Sequence, residues 1–298
     1  MDVSTTLEEL DLPTLKGLFR AESAWAEPRD DSDLKQLQRS LRSSEQSDEK
    51  ISAVKGSLTV YGSLPLDYLI ETPDVIVSDY VHVFLHGMVN RREYRPPMFY
   101  RRSSSRRTRG VCLFLSDPVF HVSEDAGVGW YLSAYSKLRP AIETLIAEIC
   151  ARHGLNGIVW HGTSSGGYAA IRMALDSSMP SVALAAAPHN DPRDAPHWHM
   201  YEEIKSIANG TDPVPLSDLL ETTVNARSGV VTLINDRDWH HLYAHLPHIM
   251  IAKGVTSRRH YLARSGLGHF GYRESDYWEA YEAAIAMLSD LLKRKAGA

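Results

Sequence analysis

Gly157-Ile158-Val159-Trp160-His161-Gly162-Thr163-Ser164-Ser165-Gly166-Gly167-Tyr168-Ala169-Ala170 is the stretch that decides the fold. It opens as an apolar strand, turns sharply through glycines, and continues as a run of small residues suited to a closely packed helix. Strand, tight turn and helix around Gly-x-Ser-x-Gly push a serine hydroxyl out at the top of a sheet. The glycines answer a steric demand, because in such a turn neighbouring backbone comes too close for Cβ atoms. The reading makes Ser164 a nucleophile and aims the backbone N–H of Ser165, at a helix start, at a developing oxyanion. The same glycines also fit a serine that merely caps a helix, so the neighbouring elements have to decide.

Working outward, buried strands alternate with amphipathic helices. Val81–Leu85, Val111–Leu115, Val182–Ala185, Val230–Ile234 and His260–Ala263 read as further strands. Leu138, Ile142, Leu145 and Ile149 share one helical face, with Gly154 placed to end the helix. A last helix carries Trp278, Tyr281, Ile285, Leu288 and Leu292. Continuous apolar strands between helices predict an α/β fold, a mostly parallel twisted sheet with helices on both faces. Two apolar stretches around Tyr61-Gly62-Ser63 predict a hairpin at the domain's start. Residues 1–55, with Leu34, Leu37 and Leu41 at helical spacing, read as a helical N-terminal extension, and 56–298 as the α/β domain. Residues 189–227 show no clear strand and read as a cap over the site.

A serine needs a base, and the base an orienting acid. In the serine-first order the acid follows a later strand and the histidine follows the last one. Leu233-Ile234-Asn235-Asp236-Arg237-Asp238 ends a strand with carboxylates, and Gly268-His269-Phe270-Gly271 follows the final strand. These segments, together with the serine turn, resemble the α/β-hydrolase superfamily from about Gly56 to the C-terminal helix. The resemblance implies a Ser164–His269–Asp238 triad, since the family's acid lies a few residues beyond the strand end. Asp236 and Asp191 stay as alternatives. It also implies an oxyanion donor after the third strand, at the N–H of Met88 or else Gly87, with His86 packing beside that turn. A narrower resemblance, through His161 to Tyr168, is to serine esterase-like proteins of bacterial capsule and surface-glycan pathways, and it sets no substrate.

The expected activity is acyl transfer on an ester, thioester or amide, as an esterase-like serine hydrolase. Its rivals are an acyltransferase with the same acyl-serine and an inactive α/β-hydrolase fold kept for binding. Eight arginines crowd residues 91–109 against a single acid, Glu93. Arg91 and Arg92, just past Met88, are candidates to bind an anionic group on a small-molecule acyl substrate. Pairing with acidic residues of the N-terminal segment is the plainer use of the rest. His189, Asp191, Asp194, His197 and His199 carry ligand-type side chains at no recognisable metal spacing, so neither metal nor cofactor is expected. A net charge of −5 gives no reason to expect nucleic acid. No run of 18 apolar residues suggests a membrane span. Cys112 and Cys150 both read as core residues of a reduced, cytoplasmic protein.

Overall fold

The computed structural model of the protein describes residues 51–62, 64–223, 226–254, 256–264, 269 and 272–296. Residues 1–50, which hold most of the expected helical extension, lie outside this set. The chain runs β1 (Ile51–Tyr61), β2 (Leu64–Pro73), β3 (Tyr80–Leu85), β4 (Cys112–Leu115), α1 (Tyr135–His153), β5 (Gly157–Thr163) and α2 (Ser165–Asp176). It continues through β6 (Ser181–Ala186), α3 (Trp198–Ile204), α4 (Leu216–Thr222), β7 (Ser228–Asn235), α5 (Leu246–Ile251), β8 (Ser257–Ala263) and α6 (Glu274–Ala296). The eight strands form one sheet in the order β1-β2-β4-β3-β5-β6-β7-β8. β1 and β2 pair antiparallel, as do β2 and β4. From β4 across to β8 every pairing is parallel.

The central strands are apolar throughout because both their faces are covered. Ile158 and Trp160 of β5, Ala183 and Ala185 of β6 and Val230 of β7 join the core beneath α1 and α2. Val159, Val182, Leu184, Ala186, Val231 and Leu233 point the other way, against Tyr277, Trp278, Tyr281 and Leu288 of α6. Alternate residues of one strand thus serve opposite layers, the period-two geometry of a strand applied to a sandwiched sheet. Helix α1 ends where expected, at Gly154 in the left-handed region (φ 69°), with its N–H bonded to the Cys150 carbonyl. Both cysteines are free and buried.

The start of the sheet differs from the sequence expectation. β1 begins at Ile51, five residues before the expected domain boundary, and most of its side chains are exposed. Leu58 and Val60 turn toward the core, but the first half, Ser52–Lys55, is exposed without alternation, which is why the strand's start is hard to see in the sequence. Residues 189–227 hold α3, α4 and connecting turns. Tyr201, Leu216 and Leu220 from this stretch are fully buried in the same core as α1 and α2. The Tyr168 hydroxyl on α2 donates to the Val214 carbonyl at 2.9 Å, fastening the segment over that helix.

A buried polar chain ties α6 to the sheet. Ser78 Oγ lies 3.0 Å from His82 Nε2, His82 Nδ1 lies 3.2 Å from His161 Nε2, and His161 Nδ1 lies 2.7 Å from the Tyr277 hydroxyl. Burial lowers His82 to about 3 and His161 well below the ordinary imidazole value. Burial likewise lowers His86 and His260 to about 4. All four are therefore neutral in the folded protein across the physiological range.

Each of these folded values lies below the value of about 6.5 in an unfolded chain, so unfolding takes up protons in acid. Their contribution to stability is complete above about pH 6.5 and is lost as the pH falls from there toward the folded values. The melting temperature is expected to fall steadily from pH 6.5 to pH 4, followed by circular dichroism in buffers of constant ionic strength. A flat profile over that range would contradict the neutral buried histidines.

Candidate active site

The turn between β5 and α2 forces Ser164 into φ 56°, ψ −117°, a region costly for any residue with a side chain. What holds it there is close packing of backbone. A Cβ on Gly162 would overlap the Gly166 carbonyl oxygen, and one on Gly166 would come within 2.5 Å of the Leu85 and His86 carbonyl oxygens at the end of β3. The Ser164 N–H is fixed to the Ala186 carbonyl at 2.8 Å, on the neighbouring strand. Ser164 is buried to 9% exposure. Ser165 is the first residue of α2, where helix geometry leaves backbone N–H groups without intrahelical acceptors and adds the positive end of the dipole.

The segment after β3 lies against this turn. A Cβ on Gly87 would fall 2.8 Å from the Thr163 carbonyl oxygen and 3.5 Å from Ser164 Cβ. Gly87, the alternative to Met88 as oxyanion donor, is thus the residue that the structure brings beside the serine. His86 clamps the segment. Its Nδ1 donates to the Gly87 carbonyl (2.7 Å), its Nε2 accepts the Asp117 N–H (2.9 Å), and its own N–H donates to the Tyr131 hydroxyl (3.1 Å). Tyr131 in turn donates to the Leu115 carbonyl. Asp117 accepts the N–H groups of Tyr131 and Val119. Burial raises the Asp117 carboxyl to about 6, with backbone donors from Tyr131, Val119 and Gly129 opposing the rise.

After β7, Asp238 is almost buried and receives two imidazoles. His269 Nδ1 donates to Asp238 Oδ2 at 2.7 Å, and His241 Nδ1 donates to Asp238 Oδ1 at 2.8 Å. Burial pushes this carboxyl up, but the two imidazole hydrogen bonds outweigh it and hold it well below the usual carboxylate range. Of the three acids weighed from sequence, Asp238 is the one that meets His269. Asp191 caps a short turn and pairs with Arg193. The N–H of Asp236 continues the sheet, bonded to the Ala263 carbonyl.

The arginine-rich segment is used differently from the expectation for Arg91 and Arg92. Arg91 Nε donates to the Glu124 carbonyl at 3.1 Å, its Nη2 reaches the Phe120 carbonyl, and its guanidinium lies 4.7 Å over the Phe120 ring. Because Phe120 stacks on His86, Arg91 braces the clamp beside Ser164, a packing role where substrate contact was expected. Arg92 is exposed, with its backbone N–H on Asn90 Oδ1. Farther along, Arg102 pairs with Glu71 and Arg107 with Glu274, while Arg101 lies over Tyr277. The acids that answer these arginines thus come from β2 and α6.

The histidines after Asp238 stand outside the groups that the sequence pattern singles out. His240, His241 and His245 crowd around His189, and potential ligand atoms of His189, His241 and His245 lie within 4.8 Å of one another. The signal available was Asp-x-x-His at 238–241, a spacing that returns the histidine to the acid within one turn. A divalent cation does not fit this cluster as it is bonded. Trp130 Nε1 donates to His189 Nδ1 and the Asn190 N–H to His245 Nδ1, which assigns the ring proton of each neutral imidazole to Nε2. Only His241 is left to offer an Nε2 lone pair. Of the ligand-type residues read from sequence, His189 alone enters the cluster; Asp194, His197 and His199 are exposed.

No protein-family model and no curated protein sequence matches the chain. Solved structures do. An acetyl xylan esterase from Paenibacillus sp. R4 superposes with a TM-score of 0.54 at 14% identity, over 91% of this chain and 98% of that one. A putative dienelactone hydrolase from Klebsiella pneumoniae gives 0.53 at 13% identity, over 80% and 99%. The capsule O-acetyltransferase of Neisseria meningitidis serogroup A gives 0.50 at 15% identity, over 75% and 95%. The fold is that of the α/β hydrolases. At such identities the likeness concerns architecture, and the chemistry rests on the residues themselves.

The steric reading of the serine turn has a direct check. Gly162→Ala should cost more than about 3 kcal/mol in a denaturant melt, or prevent folding, because its Cβ meets fixed backbone. Gly62→Ala, where a Cβ meets nothing, should cost only about 1–2 kcal/mol for its left-handed φ of 55°. Equal losses at the two positions would mean that the turn around Ser164 is not sterically closed.

Proposed function

We propose that the chain is an esterase-like serine hydrolase that cleaves an ester, thioester or amide through an acyl-enzyme on Ser164. Two observations support this reading: a strained serine that starts a helix after β5, and an imidazole, His269, oriented by the buried carboxylate that follows β7 of the same sheet. His269 Nδ1 donates to Asp238, so its Nε2 is the basic nitrogen. In the proposed first step the Ser164 oxygen attacks the acyl carbonyl while His269 Nε2 takes the hydroxyl proton. The oxygen that becomes negative is received by the backbone N–H groups of Ser165 and Met88. The His86–Asp117–Tyr131 clamp supports that second donor by fixing the backbone on either side of Gly87. Collapse of the tetrahedral species expels the alcohol, thiol or amine, which collects the proton from His269. Water then repeats the sequence to free the acid and restore Ser164.

Asp238 contributes by charge and orientation and keeps its own proton off throughout. Its depressed acidity range supports that role, since a carboxylate that stayed neutral could not stabilise the imidazolium. No helix among the described residues is long and apolar enough to cross a membrane. Structures that share the fold are named for acetyl esters and lactones, which favours a small acyl group. A second reading, acyl transfer to an alcohol or amine through the same Ser164 intermediate, draws support from the capsule O-acetyltransferase likeness. The two differ in how well the acceptor site excludes water.

Ser164→Ala is expected to abolish labelling by a fluorophosphonate and turnover of a short p-nitrophenyl ester, with the fold intact. Ser165→Ala should keep both, because its proposed contribution is a backbone N–H. Asp238→Asn should lower kcat by orders of magnitude, toward the ~10⁴ loss known when a triad acid is neutralised. Asp236→Asn should do far less. Labelling that survives Ser164→Ala would sink the assignment.

A further inference from the structure

Asp238 makes one more imidazole contact than a triad needs. His241, on the turn that directly follows the acid, donates its Nδ1–H to Asp238 Oδ1, the oxygen not used by His269. Its side chain is 4% exposed. Its ring also lies against the His269 ring, with centroids 4.5 Å apart and planes 12° from parallel. A widened turn over His241–His245, closed by the Leu246 N–H on the His241 carbonyl, carries the ring inward. One side chain therefore grips the acid from the far side and lies flat against the base.

We propose that His241 is a positioning residue for the Asp238–His269 pair, fixing the carboxylate so that Oδ2 faces His269 and giving the imidazolium a neutral ring to stack on. The inference rests on the proposed serine-hydrolase reading, with His269 as base. The ring is the shorter of two His241 donors to Oδ1, at 2.8 Å against 3.3 Å for the backbone N–H, so it dominates the grip that opposes rotation of the carboxylate about its Cβ–Cγ bond. The second donor also spreads the carboxylate's charge, which tempers its pull on the His269 proton. Stacking adds a weaker effect, because a protonated imidazole is attracted to the face of a neutral aromatic ring.

For this the His241 ring must stay uncharged. Burial lowers its proton affinity, with Asp238 opposing and His269 and His240 adding to the shift. The charged and titratable groups around the pair are Asp238, His240 and His245 from the segment after β7, His189 from the loop after β6, and His269 and Tyr272 from the region after β8. His189 and His245 are themselves held neutral by burial. His241 Nε2 is buried and makes no hydrogen bond among the described residues. A phenyl ring in its place strands no partner at that end.

The test compares His241→Phe, which keeps a stacking ring and removes the donor, with His241→Asn, whose amide N–H can replace Nδ1–H. The readouts are the pH profile of fluorophosphonate labelling and the far-downfield proton resonance of the Asp238–His269 hydrogen bond. In His241→Phe the plateau rate should fall about tenfold. The acid limb should move up by about half a pH unit, because a less shared carboxylate binds the imidazolium more strongly. The downfield resonance should shift as well. His241→Asn should return limb and resonance to wild-type positions. Wild-type limb and resonance in His241→Phe, or an Asn variant that folds but restores neither, would overturn the proposal. If Ser164 fails to label in the wild type, the hydrolase reading falls, while the resonance comparison still decides what His241 does to the pair.

Discussion

Backbone packing at the end of three strands is the constraint on which the rest of this structure depends. Ser164 sits in a backbone region that costs on the order of 1–3 kcal/mol, and it persists only because the surrounding chain leaves it nowhere else to go. Gly162 lies under the Gly166 carbonyl, Gly166 lies under the last carbonyls of β3, and the Ala186 carbonyl takes the Ser164 N–H. That arrangement requires β3, β5 and β6 to be parallel neighbours with ends in register. Pairing of Leu85 with Gly162, and of Thr163 with Ala186, supplies the register. A turn made by glycines within one segment is thus made rigid by strands far away in sequence.

Two hydrogen-bonded supports follow strands that lie on opposite sides of β5 in the sheet. On one side His86, Asp117 and Tyr131 fix the Gly87-Met88 backbone, with Phe120 and Arg91 stacked behind. On the other, Asp238 is gripped between His241 and His269. Both supports are built from buried ionisable groups whose hydrogen bonds are made with backbone or with each other. Burial keeps His86 and His241 neutral, while paired donors keep Asp238 charged. The same desolvation thus gives opposite charge states according to the partners supplied, which lets one small volume hold an anion and several neutral bases together.

Much of this was legible in the sequence because it is local. Gly-x-Ser-x-Gly after an apolar strand, a carboxylate two residues past Asp236, and a histidine after the last strand each announce themselves within a few residues. The parallel sheet was legible because β3, β5, β6 and β7 are apolar on both faces. What escaped is what three-dimensional pairing decides. The edge strand β1 is largely exposed and carries no strong periodicity over Ile51–Lys55. Arg91 and Arg102 look alike as charges, yet one binds backbone carbonyls and the other Glu71. His241 had a short-range signal, but its stacking on His269 joins loops after two different strands. Sequence grouped His189 with His197 and His199, whereas folding groups it with His241 and His245.

The central claim is that Ser164 carries an acyl group during turnover. The most direct measurement is an acid quench of the enzyme during hydrolysis of an activated acetyl ester, followed by mass spectrometry of the intact protein and its peptides. The account predicts a single added acetyl group, on the peptide spanning Gly162 to Tyr168, localised to Ser164 and absent from Ser164→Ala. Acetyl found on Ser165, on a histidine or nowhere while the ester is being consumed would contradict it.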